Sequence, residues 1–105
     1  MKVIKLSKFG TVLISRPAGL ESFNAIRSDL DPKEGVALDF EGVLTVTPSW
    51  FDEFLINLGT YMEGNVELLP TQNASVLASL PILVSARDDV VADIVRRAIE
   101  KMPQS

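Results

Sequence analysis

The chain has 105 residues, of which 47% are hydrophobic and 23% charged, with a formal net charge of −4 at pH 7; this is the size and composition of one domain spanning residues 1–105. It contains neither cysteine nor histidine, which excludes disulfides and leaves no Ser–His or Cys–His nucleophile system and no typical zinc ligands. The acidic balance argues against a nucleic-acid partner, and no apolar run is long enough for a membrane span. Because residues 1–7 also lack the apolar core of a signal peptide, we expect a cytoplasmic protein that is not an enzyme and needs no cofactor or metal.

The first third of the chain has the pattern of two strands and a helix. Residues 2–7 alternate polar and apolar side chains and residues 11–15 are rich in β-branched side chains, which predicts two strands joined by a turn at residues 8–10. Ser15 is a suitable helix N-cap. Apolar residues then recur at helical spacing, which predicts an amphipathic helix over residues 18–30.

The middle third begins with a buried strand. Residues 35–40 form a short apolar run typical of a central strand. Residues 43–46 are expected to be extended, and Thr47 then has the position of a helix cap. The helix that follows runs from residue 48 to about residue 61, and residues 65–69 form a further strand.

The last third is less regular. Residues 72–80 predict a short helix that Pro81 interrupts. Residues 82–84 fit either an edge strand or a buried turn that continues the helix. Asp88 and Asp89 open a final helix with one clean apolar face: Val91, Ile94, Val95, Ala98, Ile99 and Met102.

Two segments in the middle of the chain resemble a known family. LDFEGV at residues 38–43 and TPSWFDEF at residues 47–54 are similar to the hallmark of the STAS-like domains of unknown function, bacterial relatives of the anti-sigma factor antagonists. The matching residues are Asp39, Phe40, Gly42, Val43, Ser49, Asp52 and Glu53. The resemblance implies an α/β fold with a central mixed sheet of four or five strands and about four packed helices.

The resemblance also implies a function in signalling. It suggests a regulatory protein–protein interaction domain whose partner is a histidine-kinase-like ATPase or an anti-sigma-type regulator. The hydroxyl that such a kinase phosphorylates in classical antagonists falls at Ser49, although Thr47, Pro48 and Trp50 replace the residues usual around it. From the residues alone, the favoured role of Ser49 is to help cap the helix, with Asp52 three residues further on. The resemblance makes the phosphorylated serine an equal alternative.

The helix that starts at Pro48 is also the predicted docking surface, through Thr47, Trp50, Asp52, Glu53, Phe54 and Tyr61. It carries two apolar stripes, whereas a helix packed on a sheet needs one, so we expect the stripe with Trp50 and Phe54 to be exposed. Burial of both stripes under another helix stays open. The two acids are expected in the first turn, where the helix dipole favours negative charge.

A different class of function is also consistent with the sequence. Asp39 and Arg16 could line a crevice beside Ser49 at the strand ends, where α/β proteins bind small ligands. From the residues alone, the favoured role of Asp39 is to accept hydrogen bonds in the loop that follows its strand, and the favoured position of Arg16 is at the surface near a helix start. A homo-oligomer paired through the exposed aromatic stripe is the third alternative.

Overall fold

The computed structural model describes residues 1–85 and 87–102 as one α/β structure. The described residues form five strands and four α-helices. No helix among them is both long enough and apolar enough to cross a membrane. The elements are β1 (Lys2–Lys5), β2 (Val12–Leu13), α1 (Arg16–Ile26), β3 (Val36–Asp39), β4 (Thr45–Val46), α2 (Pro48–Tyr61), β5 (Val66–Leu68), α3 (Ala74–Ser85) and α4 (Val90–Lys101).

The strands form two small parallel sheets. One sheet has the order β1-β3-β5, with Ile4 beside Leu38 and Leu38 beside Leu68, and the other pairs β2 with β4. The expected α/β class with about four helices is confirmed, but the single mixed sheet is wrong for the described residues. Every strand pair is parallel because a helix or a long connection separates each strand from its partner.

The first two strands do not form the expected pair joined by a turn. Leu6–Phe9 forms a 3₁₀ turn between β1 and β2, and this turn carries the chain from one sheet to the other. Leu6 is fully buried there. The apolar alternation of residues 2–7 therefore reflects burial on one side of a strand and of the turn that follows it.

Three helix starts are correctly predicted by their caps. The Ser15 hydroxyl accepts a hydrogen bond from the Ala18 N–H at the start of α1, and Thr47 caps α2 in the same way. The Asp89 carboxylate accepts from the N–H groups of the second and third residues of α4. Each cap satisfies amide donors that have no partner inside the helix.

Helix α3 differs from the prediction because it continues through Pro81 to Ser85. Residues 82–84 are therefore helical and do not form an edge strand. Val76, Leu80 and Leu83 are buried at the spacing of one helical face, and burial of that face outweighs the hydrogen bond that the proline removes.

Helix α2 lies at the centre of the molecule and is buried on two sides. Phe51 faces the sheets and makes an edge-on contact with Phe40, with ring centroids 5.8 Å apart. On the other side, Trp50 and Phe54 stack with centroids 4.8 Å apart, and Phe9 packs against both rings. The expected exposure of the Trp50 and Phe54 stripe is therefore wrong: α1 and the 3₁₀ turn cover it, and both side chains are buried.

Candidate functional site

A groove of about 740 Å³ lies at the amino end of α2. Its walls come from the first residue of α1, the first two turns of α2, the carboxyl end of α3 and the segment before α4. Proline, isoleucine and leucine supply apolar wall, and the remaining side chains are a serine and five charged groups. The lining residues are Arg16, Pro48, Ser49, Asp52, Ile82, Leu83, Arg87, Asp88 and Asp89.

Ser49 is the second residue of α2 and lies in the wall of this groove. The cap itself is made by Thr47, whose hydroxyl accepts from the Trp50 N–H at 3.5 Å and donates to the Leu13 carbonyl at 3.4 Å. The Ser49 hydroxyl lies 3.2 Å from the Thr47 hydroxyl. Thr47, and not Ser49, therefore caps α2. The Ser49 side chain is half-buried beside the groove.

Asp52 connects two arginines at the floor of the groove. Arg16 Nη1 lies 2.7 Å from Asp52 Oδ2, and Arg87 Nη1 donates to the other carboxylate oxygen. The Asp52 side chain is only 13% exposed and that of Arg87 is 24% exposed, so water screens this ion pair less than it screens pairs at an open surface, whereas the Arg16 side chain is 55% exposed. Asp52 is the fifth residue of α2, in its second turn, and the expected position in the first turn is wrong.

Arg87 also binds the residue that caps α4. Its Nε lies 2.9 Å from Asp89 Oδ2, and its Nη2 lies 2.8 Å from the same oxygen. This hydrogen bonding to Asp89 is the main reason why the pKa of Arg87 is raised, ahead of its contact with Asp52 and against the effect of burial. The same hydrogen bonding lowers the pKa of Asp89 below its ordinary value of 3.8, helped by the amides that Asp89 caps.

The ionic contacts therefore form a chain from α1 through α2 to α4. Arg16, Asp52, Arg87 and Asp89 follow one another in that chain. Both arginines point guanidinium groups toward the groove in which Ser49 lies. The arrangement brings a half-buried hydroxyl, a helix amino end and two cations together, and three carboxylates (Asp52, Asp88 and Asp89) in the same lining give the groove a formal charge of −1.

Of the three residues predicted to line a crevice, the structure brings two together. Arg16 and Ser49 line the groove, whereas Asp39 lies outside its lining. Asp39 is at the carboxyl end of β3, and its Oδ1 accepts a hydrogen bond from the Glu41 N–H at 3.0 Å. Asp39 therefore orders the turn that contains Gly42, where the backbone has a positive φ of 87°.

The remaining residues predicted to bind a partner lie in different surroundings. Thr47 is half-buried in its capping role, and Glu53 is half-buried beside α1. Tyr61 is 37% exposed and lines a separate groove of about 310 Å³ between α1 and α2. The predicted docking helix thus presents its amino end and Tyr61, and it does not present Trp50 or Phe54.

Sequence reasoning missed Arg87 as a site residue. The pair Asp88 and Asp89 marked the start of α4, but nothing in the spacing indicated that Arg87 reaches a helix 35 positions earlier in the chain. Arg87 and Asp52 meet only through the tertiary fold. The one sequence signal for Arg87 was the run of three charged residues, 87–89, directly before α4.

Comparisons with protein-family models, with curated proteins and with solved structures found no match to this chain. The structure alone describes the chain, as an α/β protein with a charged groove at the amino end of its central helix.

Proposed function

We propose that this chain is a regulatory protein-interaction domain that docks through the groove at the amino end of α2, and that phosphorylation of Ser49 switches the docking. The observation that supports the proposal most is the position of Ser49, which is the second residue of α2 in a groove that also contains Arg16 and Arg87. The STAS-like resemblance of residues 38–54 supports the same assignment. The domain would act in the cytoplasm.

The switch follows from the chemistry of the groove. A partner kinase would transfer the γ-phosphoryl group of ATP to the Ser49 oxygen, with loss of the hydroxyl proton and release of ADP. The phosphate would add about −1.5 to −2 charges at pH 7. The positive end of the α2 dipole would stabilise it. The two arginines would stabilise it on exchanging their present carboxylate partners for the phosphate, while Asp52, Asp88 and Asp89 would oppose it.

The groove also has features that a protein partner uses. Pro48, Ile82 and Leu83 give it an apolar wall next to the charged floor, and interfaces combine such apolar centres with polar rims. The partner implied by the resemblance is a histidine-kinase-like ATPase or an anti-sigma-type regulator. A phosphate in this groove would change its charge and shape together, and we expect it to weaken the binding of a partner that meets unmodified Ser49.

The test measures binding and phosphorylation of the same residue. A partner recovered from the native cell is purified and titrated against the wild-type chain, Ser49→Asp and the control Ser28→Asp, which places the same charge at an exposed site outside the groove. We expect Ser49→Asp to weaken binding about tenfold or more and Ser28→Asp to leave it unchanged. Incubation with the partner and ATP should add one phosphate to the wild type and none to Ser49→Ala, as read by mass spectrometry.

Equal binding by both aspartate variants would contradict the docking surface. Phosphate transfer to a residue other than Ser49 would contradict the switch.

A second candidate function is the binding of a small anionic ligand. The volume of about 740 Å³ is within the range of small-molecule sites, and Arg16 and Arg87 are suitable carboxylate or phosphate ligands. In favour of docking, both arginines already have carboxylate partners. Calorimetric titration with inorganic phosphate and with a small dicarboxylate would distinguish the two functions, since only the ligand-binding function predicts saturable binding that Arg87→Ala abolishes.

A further inference from the structure

The two arginines of the groove are held in different ways. Arg16 contacts a single carboxylate, through Nη1 and Asp52 Oδ2 at 2.7 Å, and its guanidinium makes no other hydrogen bond among the residues that the structure describes. A guanidinium has five N–H donors, so most of those of Arg16 have no protein partner there. Because its side chain is also 55% exposed, Arg16 can turn within the groove and lose little.

Arg87 uses all three of its guanidinium nitrogens. Its Nη1 donates to Asp52, and its Nε and Nη2 lie 2.9 Å and 2.8 Å from the same oxygen of Asp89. The Arg87 side chain is only 24% exposed. Asp89 forms no ion pair with any other residue in the described part of the chain, and its carboxylate also caps α4. Moving Arg87 would therefore leave that carboxylate without a cation.

Two sets of contacts position Ser49 relative to these arginines. Ser49 and Asp52 are three positions apart on α2, and residues at this spacing lie on one face of a helix with Cβ atoms about 5–6 Å apart. This places Ser49 near the carboxylate that both arginines contact. The Ser49 hydroxyl also lies 3.2 Å from the Thr47 hydroxyl, which contacts the Leu13 carbonyl three residues before Arg16. The second contact places Ser49 near the start of α1.

We infer that Arg16 is the residue that chiefly recognises a phosphate on Ser49, by turning from Asp52 to the phosphate. Arg87 remains mainly with Asp52 and Asp89 and holds the groove together. After this exchange each of these anions keeps a cation, whereas an exchange by Arg87 would leave Asp89 unpaired. A guanidinium suits the task because it can donate two parallel hydrogen bonds to a phosphate. This role of Arg16 rests on the proposed phosphorylation of Ser49.

Phosphoserine installed at position 49 during translation, by an expanded genetic code, allows a test without a kinase or a partner. The second pKa of phosphoserine is about 6, and a cation in contact with the phosphate lowers it by favouring the dianion. A ³¹P NMR titration with pH measures the affinity of the phosphate for this proton. The loss of a contacting arginine should therefore raise that affinity.

Arg16→Gln and Arg87→Gln form a matched pair in the phosphorylated chain, because each removes one positive charge from the groove and leaves its three carboxylates in place. We expect Arg16→Gln to raise the proton affinity of the phosphate about threefold or more, and Arg87→Gln to raise it less. Far-UV circular dichroism checks that each variant is folded. An equal or larger effect of Arg87→Gln would overturn the inference.

A second measurement needs no change to Arg87. In ¹⁵N NMR spectra of the chain with and without phosphate on Ser49, we expect the Arg16 Nε–H signal to shift. The Arg87 Nε–H signal should keep its position and its slow exchange with water, since its hydrogen bond to Asp89 persists. A shift of the Arg87 signal with none for Arg16 would overturn the inference.

These results are separable from those that test the proposed function, because the phosphate on Ser49 is supplied directly. A partner that never phosphorylates Ser49 would contradict the proposed switch and leave the phosphate contact of Arg16 measurable. Failure of the Arg16 signals to respond would contradict only the role of Arg16.

Discussion

Asp52 is the residue on which the geometry of the groove depends most. It binds Arg16 and Arg87 at once while only 13% of its side chain is exposed. We therefore expect Asp52→Asn to lower the free energy of unfolding by about 1–2 kcal/mol, since charged hydrogen bonds are lost from a partly buried site. Urea denaturation measures this change.

The neighbouring acid provides the control for Asp52. Glu53→Gln removes the same charge one position along α2, at a residue that lines neither groove. Glu53 is half-buried, but its side chain has no hydrogen-bond or ion-pair partner among the described residues, so we expect a change within about 0.5 kcal/mol. Equal destabilisation by the two variants would mean that the loss of helix charge, and not the arginine contacts, explains the effect.

The lowered pKa of Asp89 leads us to expect that the stability of the fold depends on pH. Its pKa is lowered in the folded chain, chiefly by Arg87, so its contribution is present above the ordinary carboxyl value of 3.8 and is lost as the pH falls through the lower folded value. Asp89→Asn retains a capping side chain but removes the charge. The difference in urea midpoint between the wild type and Asp89→Asn should be present at neutral pH and should shrink in acid.

Asp88→Asn is the matched control, since Asp88 is almost fully exposed and its ion pair with Arg96 is long, at 3.9 Å. Its urea midpoint should follow that of the wild type at every pH. A difference for Asp89→Asn that stays constant with pH would contradict the role of its charge.

At the scale of elements, the contact between α1 and α2 depends on Gly19. A Cβ at this position would lie 2.6 Å from the Trp50 carbonyl oxygen, which is backbone and cannot move without moving α2. Alanine would gain about 1 kcal/mol of helix propensity but would cost about 1–3 kcal/mol in overpacking. We expect Gly19→Ala to be destabilising overall, by up to about 2 kcal/mol, in urea denaturation.

Gly59→Ala is the comparison for Gly19→Ala on the other side of α2. There a Cβ would meet the side chains of Ile94 and Val90, the nearest at 3.0 Å, and side chains can adjust. Gly59→Ala should therefore be the milder change, and the opposite order would contradict the tight backbone contact.

The elements also show which features the sequence could predict. Caps and apolar periodicity locate α1, α2 and α4 because both signals are local, as the Ser15, Thr47 and Asp89 caps illustrate. Pro81 predicted a break that does not occur, since burial of one face of α3 outweighs the local cost of proline. The division of the strands into two sheets depends on contacts between distant segments, which no local pattern encodes.

At the scale of the whole molecule, the groove likewise combines features that local sequence signals predict with features that depend on contacts between distant segments. Ser49 and Arg16 could be identified because both lie at helix starts, where residue type carries information. The exposure of Trp50 and Phe54 could not be judged, because Phe9 and α1 cover them from remote parts of the chain. Arg87 was missed for the same reason, since its partner Asp52 lies on another helix.

The central claim, that the amino end of α2 is a docking surface, is tested most directly by hydrogen–deuterium exchange of the chain with and without its purified partner. We predict slower exchange of backbone amides at residues 47–52, 82–85 and 87–89 when the partner is bound, and a smaller effect for Ser49→Asp at the same concentrations. Protection confined to surfaces outside the groove, with these residues unchanged, would contradict the account.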